Sequence, residues 1–190
     1  LNSNIKSFLK VLDVNDNTTG GGTASSIAGA MAAGMAGMVA RLSMGKKDLA
    51  PTEHYEAIAT RAETLCRELF AGGSKDSEAF AAVNAAFGMP KGSDLEKTAR
   101  SRAIREGMIR CAEVPLKNAF MCSRVLALCD RLEKGYNTNT ASDLECARHL
   151  AEAGLKGCVA NVRVNLPYLK DKAQVRDLES RLEKVLNASM

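Results

Sequence analysis

The sequence predicts an all-α protein, a multi-helix bundle assembled around one helix of very small side chains. Three observations carry that expectation. Apolar residues recur at three- and four-residue steps through most of the chain, the mark of helices with one buried face, and alternating β-branched runs that would signal strands are missing. Aromatic residues are only 4% and there is no Trp, so the core must be built from Ala, Leu, Val and Met, which suit closely packed helices. Finally, the run Ala24–Ala40 holds no charge and almost no bulk, so it can be packed on all sides.

The elements follow in order along a single domain expected to span residues 1–190. Ser3 can cap a first helix with Ile5, Phe8, Leu9 and Leu12 on one side. Asp13–Thr19 (DVNDNTT) is turn chemistry leading into Gly20–Gly22. The small-residue helix comes next, with Gly45 as its stop. Pro51 suits the first turn of a third helix whose buried stripe is Tyr55, Ile58, Ala62, Leu65 and Leu69. Gly72 and Gly73 are read as its end, and Ser74 as the start of a short helix carrying Phe80, Val83 and Phe87, closed by Pro90. Ser93 with Glu96 is a capping box that opens a long helix to about Lys134. Ile104, Met108, Cys111 and Pro115 share one of its faces, and Pro115 should kink it. Gly135 and the polar turn Tyr136–Thr140 (YNTNT) follow. A helix over Ser142–Leu166 is stopped by Pro167, and Asp171 starts a last one with Val175, Leu178, Leu182 and Leu186 inward.

Composition narrows the function classes. A net charge of +4, with no dense basic stripe interleaved with aromatics, gives no reason to expect a nucleic-acid partner. The six cysteines form no CxxC pair and His54 and His149 lie far apart, so no metal site is expected. Most of those cysteines fall on apolar helix faces and read as reduced thiols, which points to the cytoplasm. Asn2, Ser3, Asn4 and Lys6 interrupt any signal peptide, while a first residue of Leu leaves room for an upstream domain. Ala24–Ala40 is shorter than the roughly 20 residues a membrane span needs, and no membrane partner is expected.

Several residues could carry chemistry. Gly20, Gly21, Gly22 and Thr23 precede a helix start, where unpaired N–H groups favour an anion. Lys46 and Lys47 add cations near that helix's other end. Asp76 (in KDSEAF) and Asp143 each stand where a helix is expected to begin, so each is either a first-turn carboxylate or a functional acid. Asn161 and Asn165 share a helix face, which calls for polar partners, structural or ligand. The segment Arg100–Arg110 reads as a solvated face.

Five ordered blocks of the chain resemble the cyclodeaminase/cyclohydrolase family. They are GGGT with MVARLSMGKK, then DSEAF with MPK, AEVPL (Ala112–Leu116), NTNTASD (Asn137–Asp143) and NVRVNL (Asn161–Leu166). The resemblance implies an all-helical homodimer acting on a tetrahydrofolate derivative that carries a one-carbon unit, with no cofactor. It implies Asp76 and Asp143 as acids, with Lys46 beside them in the catalytic set. Asn137, Asn139, Asn161 and Asn165 would orient substrate, and Gly20–Thr23 with Lys47 would hold the folate's carboxylates. Between the two activities of the family, methenyltetrahydrofolate cyclohydrolase is expected before formimidoyltetrahydrofolate cyclodeaminase. There are departures: Asn17, Thr18 and Thr19 replace the usual prolines, Asp48 and Leu49 replace an aromatic, and Tyr136 replaces Gly. A folate-binding or scaffold relative without turnover, and a membrane-associated helical protein, stay open as readings from other classes.

Overall fold

The computed structural model describes residues 18–188, so the expected helix at Ser3 lies outside the described residues. The described residues form five α-helices and two single 3-10 turns, with no strand among them. They are α1 (Gly21–Ser43), α2 (Thr52–Phe87), α3 (Asp94–Glu133), α4 (Ala141–Asn165) and α5 (Lys172–Asn187). The 3-10 turns, Thr138–Thr140 and Leu166–Tyr168, flank α4. The all-α expectation holds.

α1 is the centre of the bundle, packed most extensively on α2 and α4 and also touching α3. Its buried residues are Gly, Ala, Ser, Thr and a single Val, so neighbouring backbones approach closely. At Gly154 of α4 an added Cβ would lie 2.8 Å from the Ser25 carbonyl oxygen and 3.1 Å from the Gly29 nitrogen, both α1 backbone. α1 is also long and apolar enough to cross a membrane, yet 56% of that window is buried inside the protein. It ends as the sequence predicts, at a Gly45 with φ +64° that glycine adopts without steric penalty.

The stripe Tyr55, Ile58, Ala62, Leu65 and Leu69 is fully buried along α2. Beyond it the structure corrects the sequence reading. Gly72 and Gly73 do not end the helix, which runs unbroken for 36 residues. Both glycines are buried at a crossing: a Cβ on Gly72 would collide with the Asn118 side chain and lie 2.9 Å from Ser26 Oγ. Gly72 is there to make room, whereas a Cβ on Gly73 would meet Thr23 and Ile27 at ordinary contact distances of 3.5 and 3.6 Å; neither terminates the helix. In the extension Val83 is buried, while Phe80 and Phe87 stay largely exposed.

α3 opens on the predicted capping box, Ser93 with Glu96, and continues through Pro115. α5 starts at the Asp171 cap and buries Leu178, Leu182 and Val185. A two-pronged ion pair ties it to α3, with Arg181 donating to Glu113 at 2.7 and 2.8 Å.

Candidate functional site

The residues singled out in the sequence gather at the two ends of α1. At 23 residues and 1.5 Å per residue this helix is roughly 34 Å long, so within one chain the two groups stay apart.

The N-terminal group is built by α1, α2 and α4. Because α2 is continuous, Asp76 sits in mid-helix and is no one's first-turn cap. Its carboxylate lies against the first turn of α1: a Cβ on Gly22 would be 2.5 Å from both of its oxygens. Thr23 Oγ1 lies 3.3 Å from Asp76 Oδ2, 3.3 Å from the Gly73 carbonyl and 3.0 Å from Ser77 Oγ. Burial pushes the Asp76 carboxyl above its ordinary range, against hydrogen bonds from the Thr23 hydroxyl and backbone N–H that favour the ionised form. The N-terminus expected to receive a ligand anion is therefore occupied, at Gly22 and Thr23, by the chain's own carboxylate. Thr23 is buried and its hydroxyl is engaged internally. Gly20 and Gly21 stay at the surface end of the turn, with the Asn161 amide facing Gly21.

α4 runs back along α1 and supplies the two asparagines. Asn161 Nδ2 donates to the Gly157 carbonyl at 2.9 Å. Asn165 Nδ2 donates to the Asn161 carbonyl at 2.8 Å and to the Cys111 carbonyl of α3 at 2.9 Å. That last bond explains how α3 carries a proline. Pro115 has no N–H for the carbonyl one turn earlier, which is that of Cys111, and Asn165 donates in its place. Two sequence blocks with no visible relation, AEVPL and NVRVNL, are thus joined by one hydrogen bond. Cys111 also faces Asp76, and its thiol is pushed up to about 11 by burial first and then by that carboxylate.

The C-terminal group comprises Lys46, Lys47, Asn137, Asn139 and Asp143. Asn137 clamps its own loop to the end of α1. Its N–H donates to Ser43 Oγ at 2.9 Å, its Nδ2 to the Leu42 carbonyl at 3.1 Å, and its Oδ1 accepts from the Asn139 N–H at 3.2 Å. One N–H of the Asn137 amide and its oxygen thus hold the loop in place. Lys46, Lys47 and Asn139 are exposed, and Asp143 is half-buried in the first turn of α4.

Neither Asp76 nor Asp143 lines the cavities of about 760, 600 and 400 Å³ found elsewhere in the described residues. No three His, Cys, Asp or Glu side chains cluster as metal ligands among them. Sequence reasoning missed Ser77, which stands beside Asp76 in the DSEAF block, and Gly73, whose carbonyl completes the Thr23 network.

The chain is similar to known proteins over almost all of its length. The family model described as formiminotransferase-cyclodeaminase matches residues 4–184. A methenyltetrahydrofolate cyclohydrolase from Methylorubrum extorquens is 37% identical over 186 residues, covering 97% of this chain and 89% of the relative. A formimidoyltransferase-cyclodeaminase from Rattus norvegicus is 26% identical over 98% of this chain, which spans 35% of that longer protein. Among solved structures, a formiminotetrahydrofolate cyclodeaminase from Thermotoga maritima superposes with a TM-score of 0.85 at 27% identity, covering 97% of this chain and 89% of the other.

Proposed function

The chain belongs to the formiminotransferase-cyclodeaminase family, and on that premise we propose that it is an enzyme hydrolysing 5,10-methenyltetrahydrofolate to 10-formyltetrahydrofolate. The observation that carries the mechanism is the placement of Asp76, a half-buried carboxylate held at a helix N-terminus with its affinity for protons raised by burial. Such a group suits a reaction that needs a base and then an acid. Water adds to the cationic bridging carbon and gives up a proton to Asp76. The bond from that carbon to the ring nitrogen then breaks, the nitrogen takes the proton back, and the formyl group stays on the other nitrogen. One further proton leaves to the solvent. While ionised, the carboxylate also stabilises the cationic substrate. The substrate supplies its own electrophile, so the chemistry requires neither metal nor cofactor. We place the enzyme in the cytoplasm, in keeping with its six free thiols.

The deaminase reading is supported by the likeness to the Thermotoga maritima cyclodeaminase and by that to the Rattus norvegicus formimidoyltransferase-cyclodeaminase. It differs in expelling ammonia from a formimino group to form the same bridge. The separation of Asp76 and Asp143 bears on both reactions. α1 exposes Met31, Met38 and Leu42 in an apolar stripe, with the small Gly34 exposed near its middle. Two copies crossing antiparallel through this stripe would be related by a two-fold axis, the commonest oligomeric symmetry. Each N-terminal group would then meet the partner's C-terminal group, bringing Asp143, Lys46, Lys47 and Asn139 toward Asp76. In such a homodimer the exposed lysines serve the folate's carboxylates and Asp143 serves the other face of the bridge.

Purified protein given methenyl- and formimino-tetrahydrofolate separately tests the reaction. Ammonia release at a much higher kcat/KM than methenyl hydrolysis would reverse the two readings. Mixing inactive Asp76→Asn and Asp143→Asn proteins tests the assembly. Hybrid dimers contain one intact site, so exchange should restore roughly a quarter of the activity expected from two-fold symmetry. No recovery after subunit exchange would place both residues' roles within single chains.

A further inference from the structure

Thr23 offers one hydroxyl proton to two acceptors at the same distance. The Gly73 carbonyl and Asp76 Oδ2 each lie 3.3 Å from its Oγ1, and Ser77 Oγ lies at 3.0 Å on a third side. A hydroxyl has one proton and two lone pairs, so it cannot donate to both acceptors at once. Thr23 is only 7% exposed, while the Gly73 carbonyl has its own partner one turn on in α2 and Asp76 also accepts from the Thr23 backbone N–H, so the hydroxyl is free to follow the charge on Asp76.

We propose that Thr23 is a positioning residue acting as a two-way hydrogen-bond switch for Asp76, with Ser77 as the group that holds it in register. When Asp76 is ionised, Thr23 donates to its carboxylate and accepts from Ser77 Oγ. When Asp76 carries a proton, Thr23 turns its own proton to the Gly73 carbonyl and accepts from the Asp76 hydroxyl. In each state the Thr23 hydroxyl donates to one acceptor and accepts from one donor, so Asp76 gains and loses a proton through rotation of one hydroxyl with no movement of backbone. The inference deepens the catalytic reading of Asp76 and rests on it for its importance to turnover, though the switch itself is a property of the folded chain.

The surroundings keep that switch simple. The titratable groups facing Asp76 from neighbouring helices are Cys111 of α3 and Cys158 of α4. Both thiols are held neutral, Cys111 by burial first and Cys158 by its hydrogen bond to Cys122 and then by burial. From α1 the Gly22 backbone and Thr23 face the carboxylate and no charged side chain does, and on α2 itself the adjacent Lys75 and Glu78 side chains are exposed. A hydroxyl is thus the partner that answers a change of charge on Asp76.

The test follows the Asp76 carboxyl directly, by carbon NMR of aspartate-labelled protein across a pH series, with Asp76→Asn identifying the resonance. Thr23→Val keeps the shape and removes the hydroxyl, and should raise the Asp76 midpoint by about one pH unit or more, the effect of losing one hydrogen bond to a charged group. Thr23→Ser keeps the hydroxyl and should stay within a few tenths of a unit. Ser77→Ala should move the midpoint upward by less than Thr23→Val, because its help is relayed. The acid limb of kcat/KM should shift in the same order. An unchanged midpoint in Thr23→Val, or an equal shift in Thr23→Ser, overturns the proposal. If Thr23→Val fails to fold, Ser77→Ala against wild type decides, with no upward shift counting against the switch. Full turnover by Asp76→Asn would instead sink the catalytic reading and leave the NMR result standing.

Discussion

Asn165 and Pro115 should be energetically coupled although they lie 50 residues apart in sequence. The perturbation is Asn165→Ala, made both in the natural chain and in Pro115→Ala. In the natural chain the substitution removes the 2.9 Å bond to the Cys111 carbonyl, and the proline leaves that carbonyl no N–H to fall back on. An unsatisfied buried acceptor costs about 1–3 kcal/mol, and the 2.8 Å bond to the Asn161 carbonyl is lost as well. With alanine at position 115 the helix regains a backbone N–H aimed at Cys111. Only the second bond then matters, at about 0.5–1.5 kcal/mol. The cycle should therefore show a coupling of about 1 kcal/mol or more, with Asn165→Ala milder in the Pro115→Ala background. Urea unfolding measures it, at one fixed protein concentration because subunit association would feed into apparent stability. Costs that agree within about 0.5 kcal/mol in the two backgrounds would be additive and would refute the reasoning. Turnover measured on the same four proteins separates the roles further. If Asn165 also orients substrate, its loss lowers kcat/KM in both backgrounds alike.

The remaining predictions concern the packing and charge of the site. Gly22→Ala places a methyl 2.5 Å from both Asp76 oxygens, so the carboxylate must retreat; kcat should fall by about 10²-fold, the effect of misplacing a reacting group by around 1 Å. Its unfolding free energy should change by less than about 1 kcal/mol, because Ala is the better helix former. Gly154→Ala drives a methyl into α1 backbone and should cost about 1–3 kcal/mol of stability by overpacking, read from the denaturation midpoint. Asp76 has an ordinary value of 3.8 that burial raises in the folded chain. From 3.8 up to that raised value the folded form holds a proton the unfolded form has released, so this residue's effect on stability becomes less favourable as pH rises through the window. Asp76→Asn should remove that slope, and its stability relative to wild type should improve from pH 4 to pH 7; an unchanged difference would contradict the burial.

Much of the architecture was legible because local signals agreed with the tertiary result. Ser93 and Glu96 are a start signal that needs no partner, and the α2 stripe from Tyr55 to Leu69 has one apolar period throughout. The failure at Gly72 and Gly73 has a physical cause. A glycine pair marks a helix end when considered alone, and only Asn118 and Ser26, distant in sequence, show that the lack of a Cβ at Gly72 is needed for contact. That misreading propagated to Asp76, which looked like a helix-start carboxylate only because a start was expected at Ser74. The site was legible as a set of residue types and not as a shape. Nothing in the spacing of Gly22, Asp76, Asn137 and Asp143 reveals that α1 separates them into two groups. Ser77 went unnoticed because its relation to Thr23 spans 54 residues and exists only after folding.

The small side chains of α1 also determine what kind of object it is. Its 12 buried residues are Gly, Ala, Ser, Thr and one Val, and none has more than one rotatable bond to heavy side-chain atoms. Burying Leu or Met costs rotamer freedom, whereas Gly and Ala have none to lose. Assembly of this helix consequently surrenders little side-chain entropy, and once assembled it has almost no alternative packings to visit. A core rich in Leu or Met can absorb a nearby disturbance by shifting rotamers; this one transmits it. α1 therefore behaves as a ruler without internal degrees of freedom, and the distance between the Asp76 end and the Asp143 end is set by its length in residues.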